Sequence, residues 1–128
     1  MTFTILSVLF SELWNTLGQI LFKKSTNGLN FTHEKNIKSY LDFLAQVIRQ
    51  PGILLGLLAM AVGLIFWLLA LSKAELSVVF PLGSIQYILV LLAARLFLSE
   101  QTDAMRISGT VLITLGIVLI MLGEVWKF

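Results

Sequence analysis

Four long apolar runs dominate the pattern of hydrophobic and polar positions along the chain. They cover about residues 3–22, 52–71, 76–98 and 107–126. An α-helix needs about 20 apolar residues to cross the hydrocarbon core of a bilayer, so the pattern predicts four transmembrane helices. Short links at Ser72–Glu75 and Ser99–Arg106 make the later spans antiparallel neighbours. Pro51 falls in the first turn of the second span, where its missing N–H costs no hydrogen bond. The connection between the first two spans is longer. Ser25–His33 is polar and holds the turn pair Asn27–Gly28. Within Asn36–Gln50, apolar Ile37, Tyr40, Leu41, Leu44, Val47 and Ile48 recur at helical spacing, opposite Lys38, Asp42, Gln46 and Arg49. This segment is too short and too polar to span. It predicts an amphipathic helix lying along the membrane surface or packed on the bundle mouth. The expected fold is an all-α integral membrane protein: one four-helix bundle over residues 1–128 with an interfacial helix between its first two spans.

The polar positions inside the spans carry the candidate chemistry. Glu12 lies halfway along the first span, where a carboxylate costs roughly 2.5–3.5 kcal/mol on insertion scales. Glu12, Asn15, Gln19 and Lys23 are spaced 3, 4 and 4 and form one stripe on a helix, bordered by Thr16. Such a stripe must face protein or water. It reads either as a polar path, with Glu12 as proton site or cation ligand and Lys23 as an anion contact, or as a hydrogen-bonded helix–helix seam. Lys23 could also simply snorkel. The third span opens with Phe80–Pro81–Leu82–Gly83–Ser84. Pro81 removes a backbone donor and Gly83 adds flexibility, which predicts a helix break. Broken helices mark many transporter sites. Ser84, Gln86 and Tyr87 add polar groups at similar depth and would bind a polar substrate head beside the first span; the alternative is a kink that serves packing. Arg95, one turn before the end of that span, could clamp a phosphate or reach lipid phosphates, and Glu100 could pair with it. Small residues Gly52, Gly56, Ala59 and Gly63 share one side of the second span, and Gly109, Gly116 and Gly123 repeat every seven residues in the fourth. The latter stripe is a candidate subunit interface, or packs inside the monomer.

Composition narrows the class further. The chain has 128 residues, 58% of them hydrophobic and 12% charged, too apolar for a soluble domain of this size. The net charge of +2 is therefore a topology signal and not a nucleic-acid signal. Lys23, Lys24, Lys35, Lys38, Arg49, Arg95 and Arg106 fall on one side of a four-span topology, and only Lys73 and Lys127 on the other. The positive-inside rule then expects a cytoplasmic first loop and outward termini. The N-terminus lacks a basic region and a small-residue cleavage site, so it reads as a retained span and not a signal peptide. Trp67 and Trp126 lie near span ends, as interfacial indoles do, whereas Trp14 lies deeper and is expected on an internal surface. There is no cysteine, and the lone His33 reads as a solvated loop residue, so no metal site or cofactor is expected. Neither a nucleophile–histidine pair nor a phosphate-cradling glycine loop is present, which argues against an enzyme.

Several of these segments resemble a known family. Gly18-Gln19-Ile20-Leu21-Phe22-Lys23 with Ser25-Thr26, the stretch from Gly56 to Trp67-Leu68-Leu69-Ala70-Leu71, Leu76 to Ser84 with Ala93-Ala94-Arg95 and Glu100, and Ile107-Ser108-Gly109 with Leu115 to Leu119 are similar to short four-helix members of the drug/metabolite transporter superfamily. The strongest likeness is to small EamA-like subunits that flip aminoarabinose-phosphoundecaprenol; small multidrug resistance proteins are more distant. The resemblance implies a dimeric four-helix unit in a bacterial inner membrane, moving a polyprenyl-phosphate-linked sugar. By position, Gln19 and Lys23 match the Gly-Gln…Lys motif, Pro81 and Ser84 the third-span motif, and Glu100 the acidic residue before the fourth span. Two positions depart from the pattern: Phe80 stands where tyrosine usually precedes the proline, and the membrane glutamate of the multidrug proteins aligns with Asn15, one turn after Glu12.

Three functions follow as expectations. The first is a lipid-carrier flippase or its subunit, as homodimer or heterodimer. Lys23 and Arg95 would bind the phosphate, Asn15, Gln19, Ser84 and Tyr87 the sugar, and Glu12 a cationic group or a proton. The second is proton-coupled efflux of small cationic compounds through Glu12. The third is an accessory subunit docking through the glycine stripe of the fourth span.

Overall fold

The computed structural model describes residues 2–29 and 36–126; His33, Lys35 and Lys127, and what was expected of them, lie outside the described residues. The described chain is helical throughout: α1 (Thr2–Thr26), α2 (Ile37–Arg49), α3 (Pro51–Leu71), α4 (Leu76–Gly83), α5 (Ile85–Phe97) and α6 (Ala104–Val125). Four spans are long and apolar enough to cross a membrane: α1, α3, α4 continued by α5, and α6. The chain is a multi-pass, all-α membrane protein.

The α1–α3 pair forms the body of the bundle, and small residues let it form. A methyl group on Gly56 would lie 2.8 Å from the Gly18 carbonyl oxygen, and one on Gly18 would lie 2.6 Å from the Gly56 carbonyl oxygen. The two backbones therefore touch directly, which in lipid maximises van der Waals contact. Gly63 continues the seam: a methyl there would meet the Asn15 amide oxygen at 2.5 Å. At one end of the seam Gln50 Nε2 donates to the Ser25 carbonyl at 3.3 Å, tying the start of α3 to the end of α1. Near the other end, Val8, Ala70 and Val79 form a small core against Trp67, Leu71, Ala74 and Leu82. Most other large apolar side chains point outward, as a lipid-facing exterior requires.

Element ends shift by about a turn from the sequence pattern. The first span continues through Lys23 and Lys24 to Thr26, where basic side chains complement the carbonyl end of the helix. The fourth begins at Ala104, taking Arg106 into the helix. The third breaks at Ser84, as the Pro81–Gly83 pattern predicts. The Ser84 and Tyr87 amides donate three residues back, to Pro81 and Ser84 carbonyls, at 3.1 and 3.0 Å. That pattern replaces the regular ladder one turn after the proline.

The helix α2 has no buried residue, and its main contact with the bundle is at α3. Its exposed Ile37, Leu41, Leu44 and Ile48 suit a surface helix better than one packed on the bundle mouth. In α6 no described side chain is buried, and methyl groups on Gly109, Gly116 or Gly123 would meet nothing within 4 Å. Packing of the glycine stripe inside the monomer is thereby overturned. Two tryptophan expectations are also corrected. Trp14 is 37% exposed on the outside of α1, and Trp67 is the internal indole, edge-on to Phe80 with ring centroids 5.6 Å apart.

Candidate functional site

The polar stripe of α1 turns away from the lipid-facing Leu13 and Leu17 and toward the broken third span. Three neighbouring cavities run along this face. The one nearest the middle of α1, about 360 Å³, is lined by Glu12, Asn15, Trp67, Phe80, Gly83, Ser84, Gln86 and Tyr87 among others. The next, about 230 Å³, lies among Gln19, Gln86, Tyr87 and Val90. The third, about 160 Å³, reaches the mouth between Thr16, Gln19 and Lys23 on one side and Ala93, Ala94 and Glu100 on the other. Shared walls make them one cleft: Gln86 and Tyr87 border the first two, and Gln19 the last two.

Glu12 is only 3% exposed, and its Oε2 has no hydrogen-bond partner among the described residues. Asn15 Nδ2 donates to Ser11 Oγ at a long 3.4 Å. Thr16 Oγ1 is likewise buried without a partner. Buried polar groups left unpaired cost free energy, so the groups lining this cleft are suited to ligand, proton or water. A dry helix–helix seam would have paired them. Gly83 borders the cavity beside Glu12. The Trp67 six-membered ring and Glu12 Oε1 lie 2.7 and 3.4 Å from the point a methyl group on Gly83 would occupy. Sequence reading gave Gly83 a part in the helix break; the structure adds that its missing side chain lets the Trp67 ring pack against the backbone beside Glu12. Ser84 Oγ donates to the Phe80 carbonyl at 3.4 Å, satisfying an acceptor that the break would otherwise strand.

At the mouth, Lys23 Nζ pairs with Glu100 Oε1 at 3.1 Å. The pair expected between Arg95 and Glu100 is therefore replaced by one joining the first span to the α5–α6 loop. Ser99 makes it reachable: its left-handed backbone (φ 51°) reverses the chain, and the Glu100 amide folds back onto the Ala94 carbonyl at 3.1 Å. Arg95 is exposed and lines a loop cavity with Ser99, Glu100, Gln101 and Thr102, which adjoins the mouth at Glu100. It does not join Gln19 in the cleft. A further cavity of about 470 Å³ flanks Lys23 on its α3 side, walled by Phe22, Leu57 and Met60 and bordered by Gln19 and Thr26. Sequence reading missed this apolar bay because its walls come from two spans and carry no polar signal.

Comparison with known proteins agrees with this architecture. Residues 28–122 match the EamA-like transporter family. A Pseudomonas aeruginosa protein named as a probable 4-amino-4-deoxy-L-arabinose-phosphoundecaprenol flippase subunit, ArnE, is 38% identical over 73 residues, 57% of this chain and 64% of that one. The Photorhabdus laumondii protein of the same name is 40% identical over 69 residues, 54% of this chain and 61% of its own. The match therefore spans under two thirds of the length of these relatives. The Pseudomonas paraeruginosa protein of that name is 32% identical over 113 residues, 88% of this chain and 92% of its own. No solved structure matches the chain. Family match, full-length likeness and four spans around a polar cleft lead to one conclusion: the chain belongs to the EamA-like transporter family.

Proposed function

We propose that this protein is a flippase, or one subunit of a flippase, for a polyprenyl-phosphate-linked sugar. The observation that carries the reading is the position of Lys23 and Gln19 between two unlike cavities. On one side lies the mouth of the cleft, where Thr16 and Glu100 stand among apolar Ile20, Val90, Ala93, Ala94 and Leu98; on the other lies the apolar bay of Phe22, Leu57 and Met60. A lipid-linked phosphate needs that combination: a cation for the phosphate, polar walls for the sugar and an apolar surface for the chain. Relatives named for an undecaprenol-linked substrate support the same class. The Lys23–Glu100 pair is about half exposed on the lysine side, and exposed pairs contribute under about 1 kcal/mol. A substrate phosphate can therefore take Lys23 from Glu100 at little cost, through stronger charge-assisted hydrogen bonds. Asn15, Gln19, Ser84 and Tyr87 would then receive the sugar along the cleft, while Arg95 contacts lipid phosphate outside it.

The unpacked glycine stripe of α6 supports a dimer built on that helix, with a second copy or a similar four-helix subunit. The basic residues at the α1–α3 end favour a cytoplasmic mouth, outward termini and a bacterial inner-membrane location. Lipid identification on purified protein tests the substrate class. Native protein should retain phosphoprenyl lipid, and Lys23→Ala should lose most of it; equal retention by both forms refutes the assignment. The buried Glu12, one of whose oxygens has no partner among the described residues, favours one second reading, proton-coupled efflux of small cations. There Glu12→Gln would abolish resistance while Lys23→Ala would be mild.

A further inference from the structure

The helix between the first two spans turns three different faces to its surroundings. At about 3.6 residues per turn, α2 divides into three rows roughly a third of a turn apart. Ser39, Phe43 and Val47 are half-buried and so face the bundle, which α2 meets mainly at α3. Gln50, just past the helix, continues that row and donates to the Ser25 carbonyl. Lys38, Asp42, Gln46 and Arg49 form a second row, all exposed. Ile37, Leu41, Leu44 and Ile48 form the third and are 53–79% exposed. The bundle therefore covers the row beside these four apolar side chains and leaves the four themselves bare. A helix packed on the bundle mouth would have buried them first.

The ends of α2 fix the level at which that bare row lies. The first span ends at Thr26 and the second begins at Pro51. Those two ends are held together: Gln50 bonds Ser25, and a methyl group on Gly52 would collide with Ser25 Oγ. Both spans therefore meet the membrane surface at one face, and a single residue joins α2 to α3. That short leash keeps α2 at the bilayer surface. The nearest apolar cover there is the headgroup–acyl boundary, which takes amphipathic helices by their apolar face. Charge agrees. On α2 Lys38 and Arg49 outnumber Asp42, and Lys24 at the end of α1 is exposed as well. Basic side chains at a membrane surface reach lipid phosphates along their apolar stems, and anionic lipid attracts them.

We propose that α2 is a docking surface for anionic phospholipid. Ile37, Leu41, Leu44 and Ile48 enter the headgroup–acyl boundary, and Lys38 and Arg49 gather anionic headgroups beside the joined ends of α1 and α3. This surface is separate from the polar cleft and does not rest on the flippase reading.

Bimane fluorescence of the full chain in phosphatidylcholine–phosphatidylglycerol vesicles tests this. The chain has no cysteine, so Leu44→Cys and Gln46→Cys each carry one label, both at exposed positions. Acrylamide is the quencher in water; doxyl-labelled phosphatidylcholine or phosphatidylglycerol is the quencher in the membrane. The label at 44 should be quenched by doxyl lipid and shielded from acrylamide, and the label at 46 should show the reverse. At equal mole fraction, doxyl-phosphatidylglycerol should quench position 44 at least about twofold more than doxyl-phosphatidylcholine, because each cation near an anionic surface favours it. Lys38→Gln combined with Arg49→Gln should remove that difference and leave position 44 in lipid. Acrylamide reaching 44 as readily as 46 would place the row in water. Neither quencher reaching 44 would mean that protein, such as a second copy, covers it. Either result overturns the proposal, as does equal quenching by the two lipids before the charges are removed or an undiminished difference afterwards.

Discussion

Gly83 is where one methyl group would do most damage. Alanine there gains up to about 1 kcal/mol of helix propensity, but its Cβ would lie 2.7 Å from the Trp67 ring. A rigid indole yields poorly, and overpacking costs about 1–3 kcal/mol. The clash outweighs the propensity, so Gly83→Ala should lower the thermal midpoint slightly, keep its helix content by circular dichroism, and lose transport as Trp67 or Glu12 is displaced. At this scale the sequence was partly legible. The 3-4-4 spacing placed Glu12, Asn15, Gln19 and Lys23 on one helix face because spacing alone decides that. It did not tell Trp14 from Trp67. Depth in a span does not reveal which face turns inward; the Gly18–Gly56–Gly63 seam does. The partner of Glu100 was also hidden, since a left-handed Ser99 carries it to a lysine distant in sequence.

The broken third span is the element on which the cleft depends. Pro81 lies inside α4 and gives no N–H to the carbonyl one turn earlier. Pro81→Ala would restore that donor and remove the ring clash, a gain of up to about 3 kcal/mol in a helix interior. The variant should melt higher than wild type and transport less, because a straightened span withdraws Ser84 and Gln86 from the Glu12 cavity. Higher stability with unchanged transport would show that the break serves only packing. The spans themselves were readable from length and apolarity, and the break from proline beside glycine. Their ends were not, because Lys23 and Lys24 continue helical hydrogen bonding past the apolar run, where hydropathy falls but geometry does not change.

As a whole molecule, the bundle is one tight pair, α1 with α3, flanked by less embedded spans. A helix as bare as α6 is best explained by a neighbour. A methyl group at Gly116 would meet nothing within 4 Å inside the monomer, so Gly116→Leu should leave monomer helicity intact while weakening the proposed α6 dimer in cross-linking and light scattering; unchanged association places the interface elsewhere. The central claim is that the polar side of the first span faces a wetted cleft. The chain has no cysteine, so single cysteines report without background. The decisive measurement is labelling of Asn15→Cys, Gln19→Cys, Leu13→Cys and Leu17→Cys in membranes with a membrane-impermeant thiol reagent. The expected result is reaction at positions 15 and 19 and protection at the lipid-facing 13 and 17. Protection at 15 and 19, or equal reaction at all four, would contradict it.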